Sequence, residues 1–149
     1  MESKYDFKRD LENTKYEKVF ADWLRKGNPN AVVEEVEGYF PDYDIKMGDV
    51  TFEVKRDYWY LQTKNLLVEY MYNKEQEKAG WIKYSKADYL VVFVSDTKFY
   101  VVQMEGVRIK FGFEPELWEK KEIVQKEGFT TVNYVAKLNE FVGVKWYEV

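Results

Sequence analysis

A chain of 149 residues that is 46% hydrophobic and 19% aromatic has material for one ordinary domain core, residues 1–149, with no linker or repeat dividing it. It contains neither Cys nor His, which excludes disulfides, thiolate and imidazole metal sites, and Ser-His or Cys-His nucleophiles. The formal net charge of −4 argues against a protein that coats nucleic acid by bulk charge, although 23 Lys and Arg leave room for a local basic track.

Any hydrolytic chemistry must therefore use carboxylates, Lys, Tyr or a hard metal held by oxygen. No amino-terminal apolar run resembles a signal peptide, and no stretch approaches 18 consecutive apolar residues. The expectation is a soluble, cytoplasmic protein with no membrane partner.

Residues 5–26 read as a helix, with Phe7, Leu11, Phe20, Trp23 and Leu24 at helical spacing, stopped by Gly27-Asn28-Pro29. Residues 31–40 read as a first strand, and 41–57 as a hairpin turning at Gly48-Asp49. Residues 65–72, apolar on both faces, fit a buried strand or a short helix. Residues 73–86 are polar and fit a helix or helical turn with a loop. Residues 87–96 form the clearest buried strand, and 98–105 a strand returning beside it. Pro115 and Gly128 bracket a second helix over 114–127. Strand patterns at 130–138 and 141–149 finish the chain. This order gives an α/β (α+β) fold on one central sheet.

The hairpin carries more charge than its position calls for. With a two-residue turn, Ile45 faces Phe52, Asp44 faces Glu53 and Asp42 faces Lys55. Alternation then puts Tyr43, Ile45, Met47, Val50, Phe52 and Val54 on a core face, and Asp42, Asp44, Lys46, Thr51, Glu53 and Lys55 on the other. Carboxylates opposed across an antiparallel pair repel unless something neutralises them. A divalent ion would, since Mg²⁺ takes one or two carboxylates and completes its shell with water and phosphate oxygens. A solvated strand face is the equally open reading of the same residues.

The run "PDYDIKMGDVTFEVK" resembles the PD-(D/E)XK nuclease superfamily: an Asp, a short hairpin, then Glu-x-Lys, here Asp44 and Glu53-Val54-Lys55. "AGWIKYSKADYLVVFV" is similar to the segment that follows the motif in short phage and prophage nucleases of this superfamily. The resemblance implies a restriction-endonuclease-like core, with a central mixed β-sheet flanked by helices. It implies a Mg²⁺- or Mn²⁺-dependent endonuclease acting on DNA, with RNA as an alternative substrate and a homodimer allowed. Asp44 and Glu53 would be metal ligands with the Val54 carbonyl, and Lys55 would position the attacking water. Glu17, on the first helix, would support the metal through water. The rival reading is a non-catalytic module that kept the fold and binds nucleic acid or protein.

Glu17 is equally an i,i+4 partner of nearby cations. Glu69 is an acid in an apolar segment, either facing the site or lying at a sheet edge. Lys64, Lys74, Lys78, Lys83 and Lys86 could track a phosphate backbone, and Tyr58, Trp59 and Tyr60 could stack on bases. A solvated face and core packing explain the same residues.

Overall fold

The computed structural model describes residues 4–38 and 40–149, with side chains from residue 13 onward among the helical residues. The expected core positions Phe7 and Leu11 lie outside the described side chains. Two sheets are present where one is expected from the sequence. A six-stranded mixed sheet has the order β1 (Val33–Glu35), β2 (Ile45–Met47), β3 (Val50–Arg56), β6 (Tyr89–Phe93), β7 (Lys98–Gln103) and β10 (Lys145–Glu148), and a four-stranded antiparallel sheet has the order β5 (Lys78–Ala79), β4 (Asn65–Asn73), β9 (Thr130–Lys137) and β8 (Glu119–Val124).

Helix α1 (Lys4–Gly27) leads into β1 (Val33–Glu35), β2 (Ile45–Met47) and β3 (Val50–Arg56). The first strand is only three residues long, so most of 31–40 is irregular. A crossover then carries the short helix α2 (Tyr60–Thr63), β4 (Asn65–Asn73), β5 (Lys78–Ala79) and α3 (Trp81–Tyr84), before β6 (Tyr89–Phe93) returns parallel to β3. β7 (Lys98–Gln103), α4 (Met104–Phe113), β8 (Glu119–Val124), β9 (Thr130–Lys137) and β10 (Lys145–Glu148) complete the chain. The segment 65–72 is a strand, but of the second sheet. Residues 73–86 make a turn, β5 and the single turn α3, not a longer helix.

Alternation on β3 and β6 sorts the large sheet into two faces. Phe52, Val54, Val91, Phe93 and Phe99 point to α1, whose Tyr16, Phe20, Ala21 and Leu24 recur at helical spacing and are buried against them. Phe20 sits edge-on to Phe52 and Phe99, with ring centroids 5.0 and 5.6 Å away. Truncating such a residue to Ala costs about 3–5 kcal/mol. Leu90, Val92, Tyr100 and Val102 point the other way, into a second core roofed by Leu66 and Val68 of β4, Ala136 of β9, and Met104 and Val107 of α4. Glu53 and Lys55 share that second face, so the small sheet and α3 enclose them.

The helix expected at 114–127 is absent. A 3₁₀ turn at Pro115–Leu117 leads into β8, which pairs in register with β9 from Glu119–Val135 to Val124–Thr130. Gly128, at φ +91°, serves the β8–β9 hairpin turn and not a helix end. The helical propensity of "ELWEKKE" yields to pairing with β9 and to the Lys74–Glu122 ion pair at 2.8 Å. Among the described residues the second substantial helix is α4, after the strand pattern of 98–105. There Met104, Val107 and Phe111 make an inward stripe on either side of Gly106.

Candidate active site

The hairpin turns where expected, and its ladder runs Met47–Val50, Lys46–Thr51, Ile45–Phe52. It stops there, so Asp44 and Glu53 are not a ladder pair, nor are Asp42 and Lys55. The Asp44 amide donates to the Phe52 carbonyl at 2.9 Å, while its own carbonyl accepts from Val36 on the opposite side at 3.1 Å. That kink swings Tyr43 out of the expected α1-facing set and packs it against the other core. It also turns the Asp44 carboxylate over β3, where Oδ2 accepts the Val54 amide at 2.8 Å.

Asp44 and Glu53 nevertheless meet. Their carboxyls are within hydrogen-bonding reach of one another, and Ser85 reaches Glu53 as well. Glu53 is buried, and its Oε1 receives no hydrogen bond from any described group. Two acids this close require a proton or a cation between them. With no cation, burial and then Asp44 push the Glu53 carboxyl up to about 8, with Lys55 opposing. Asp44 is raised as well, by burial first and by Glu17, against Lys55. In this state one proton shared by the two acids relieves their repulsion.

Lys55 Nζ stands 3.4 Å from Glu53 Oε2, with its side chain 20% exposed. Burial alone would lower this ammonium. The negative charge carried by the Glu53–Asp44 pair and by Glu69 opposes that, so it is held protonated. The solvated-face reading therefore fails at Glu53 and Lys55.

Glu17 projects from α1 close enough to act on Asp44 by charge. Glu69 is buried on β4 and acts on Lys55 and Tyr84 in the same way. Its position depends on Gly80. The Gly80 amide donates to the Tyr70 carbonyl at 2.9 Å, and a Cβ there would collide with the Glu69 backbone and lie 2.8 Å from its Cγ. β4 also bulges between Glu69 and Met71, a common device for aiming a side chain.

Three residues around the site are not visible as such in the sequence. Burial pushes the Tyr84 phenol up to about 12, with Lys55 opposing and the surrounding acids adding to it. The Ser85 hydroxyl donates to the Asp42 carbonyl at 3.3 Å and the Lys86 amide to the same oxygen at 2.7 Å, tying the 42–44 loop to the turn after α3. Arg108 of α4 donates to the Ser85 carbonyl. Asp42 thus contributes its backbone and stands outside the acid pair. The remaining lysines do not form one track. Lys74 pairs with Glu122 at the far hairpin, Lys83 lies 3.8 Å from the Tyr70 ring centroid, and Lys64 flanks α2. Tyr58 lies under Arg56, Trp59 is exposed, and Tyr60 is core.

The donors suit a small hard cation in kind. Two carboxylates are present, one with a buried oxygen that no donor satisfies. On a strand the N–H and C=O of one residue point to the same side. The Val54 carbonyl therefore points with its amide toward Asp44, past the end of the β2–β3 ladder. Among the described residues no three acids converge on one point. An ion held here would complete its shell with water and ligand oxygens, as Mg²⁺ does.

No family model, curated protein or solved structure matches this chain. Among the described residues no helix is long and apolar enough to cross a membrane.

Proposed function

We propose that the chain is a divalent-metal-dependent nuclease that hydrolyses phosphodiester bonds, with DNA as its expected substrate. The observation that carries this reading is the buried, unsatisfied Glu53 oxygen beside Asp44, with an ammonium 3.4 Å from the same carboxylate. A fold-stabilising role gives no reason to bury two acids together, since apolar residues of the same size would cost less.

Asp44 and Glu53 would hold Mg²⁺ or Mn²⁺, with the Val54 carbonyl as a further oxygen. When bound, such an ion lowers the pKa of its water and offsets charge on the scissile phosphate. The chain's own groups supply the rest. Lys55, on the same strand face as Glu53, orients the attacking water and faces the phosphate oxygens with a fixed positive charge. Glu69 on β4 lies near enough to add negative charge around the ammonium. Glu17 adds negative charge behind Asp44 and favours a cation there. Lys83, Lys86 and Arg108, around the Ser85 turn, would meet phosphates on either side of the cleaved bond.

The test is incubation of the purified chain with single-stranded DNA, duplex DNA, branched DNA and RNA, each with Mg²⁺, Mn²⁺ or EDTA. The reading expects metal-dependent cleavage of at least one DNA. Cleavage of RNA alone would move the substrate class. Cleavage of none, with tight binding of any, would favour the non-catalytic module.

A further inference from the structure

Away from the acid pair, the ends of α2, β9 and β10 line an open cavity of about 240 Å³. Its walls include Tyr60, Phe141 and Trp146, and its polar lining Lys64, Lys137 and Asn139. The volume is below the usual range for a drug-sized ligand, so it holds one ring system and leaves any attached charged group at the rim.

The cavity is separate from the candidate active site. Lys55 pairs with Val92, Val92 with Tyr100, and Tyr100 with Trp146, so the four residues form one row on one sheet face. Three strand spacings put Trp146 about 14 Å from Lys55. Val92 and Tyr100 between them are buried under the small sheet, so the two places open separately.

The aromatic wall is fixed from behind. The Asp57 carboxylate accepts the Trp59 amide at 2.8 Å at the head of α2, which sets Tyr60. Tyr60 and Tyr100 hold the Trp146 ring at centroid distances of 5.4 and 5.1 Å, and Trp146 stays 39% exposed. The cations are placed as deliberately. Lys64 takes a left-handed conformation, φ 57° and ψ 27°, to close α2 and enter β4. Glycine makes that turn without strain, so a lysine there carries a cost its backbone role does not require. Lys137 Nζ donates to the Thr63 carbonyl at 3.0 Å, which brings a second ammonium to the same rim. Among the described residues neither lysine has a carboxylate within 4.0 Å, whereas Lys55, Lys74 and Lys110 do. Two like charges held together beside an aromatic wall are complementary to a planar ring that carries an anion.

We infer that this cavity binds a nucleotide, its base against the exposed Trp146 and its phosphate between Lys64 and Lys137. Base stacking on exposed aromatics with lysines along the phosphate is the usual chemistry of single-strand recognition. The same chemistry fits a free mononucleotide or one nucleotide of an unpaired strand. The inference does not depend on the acid pair being catalytic.

The test is calorimetric titration of the full chain, without divalent metal, with AMP, adenosine, inorganic phosphate and a short oligodeoxyadenylate. AMP or the oligonucleotide should bind saturably, with adenosine and phosphate each at least about tenfold weaker. Equal affinity for AMP and oligonucleotide identifies a free nucleotide as ligand, and much tighter oligonucleotide binding identifies a strand. Trp146→Ala and the Lys64→Ala, Lys137→Ala double variant should each weaken binding about tenfold or more. Lys64→Gly adds a control for a purely structural lysine: it should raise the melting temperature while binding falls. No saturable binding of AMP or oligonucleotide, adenosine binding as tightly as AMP, or unchanged affinity in Lys64→Gly would each overturn the assignment.

Discussion

Glu53→Gln separates the cost of the buried acid pair from the rest of the fold. Gln keeps the shape of the side chain and stands in for the protonated acid, so the variant removes the charge that burial penalises. Without metal, the folded chain holds a proton on Glu53 up to about pH 8, whereas the ordinary value is 4.5. A group raised in this way contributes stability that is fully present below the unfolded value and is lost as pH rises through the folded one. Each pH unit in that window is worth about 1.4 kcal/mol per proton, so the ceiling is about 5 kcal/mol. Asp44 is raised too and acts in the same direction. The value of about 8 already includes the opposing effect of Lys55, and local relaxation brings the effect below the ceiling, to roughly 2–4 kcal/mol. At this chain length 1 kcal/mol moves the melting temperature by about 2–4 °C. Thermal and urea melts in EDTA at pH 5, 6.5 and 8 should show the parent losing stability across the series. Glu53→Gln should match the parent near pH 5, exceed it at pH 8, and have a flatter pH dependence. A parent whose stability is flat or rises from pH 5 to 8, or a variant with the parent's slope, would refute the protonated-pair argument.

Mg²⁺ should stabilise the parent more at pH 8 than at pH 5, because it replaces a proton between Asp44 and Glu53; melts with and without the ion read this, and Asp44→Asn, Glu53→Gln should abolish the gain. Lys55→Ala should lower cleavage about 10²–10⁴-fold with the fold and Mg²⁺ response retained, as measured by single-turnover rates beside melts. Asp42→Ala should cost far less activity than Asp44→Ala, because Asp42 acts through its carbonyl while Asp44 caps Val54 and meets Glu53. Gly80→Ala should destabilise the fold by more than about 2 kcal/mol, because the new Cβ collides with the Glu69 backbone; urea melts at fixed pH measure it.

The parts of the fold readable from sequence are those where one periodicity dominates. α1 shows its buried side at Phe20 and Leu24, β6 is a near-continuous apolar run, and Gly48-Asp49 sets the hairpin ladder. The expectation failed where tertiary pairing overrode local preference. "ELWEKKE" has helix-forming composition, yet β9 offers its edge and Lys74 a partner for Glu122, and β8 forms instead. The small sheet was hidden for a related reason: β4 is apolar on both faces, and nothing local says which sheet it joins. At the site, Asp44, Glu53 and Lys55 come together, but not by the cross-strand pairing first inferred. The kink at Asp44 depends on Val36 and Phe52, and no local pattern encodes it. Tyr84, Ser85 and Arg108 reach the site through the crossover and α4, whose placement depends on packing across the whole domain.

The most direct measurement is the rate of cleavage of one end-labelled DNA by the parent, Glu53→Gln and Lys55→Ala, with Mg²⁺ and with EDTA, on protein shown by melting to be folded. The account predicts cleavage by the parent only with Mg²⁺, and losses of about a hundredfold or more in both variants. Cleavage that survives EDTA, or a variant as fast as the parent, would contradict the assignment of Asp44, Glu53 and Lys55 as a metal-dependent hydrolytic centre.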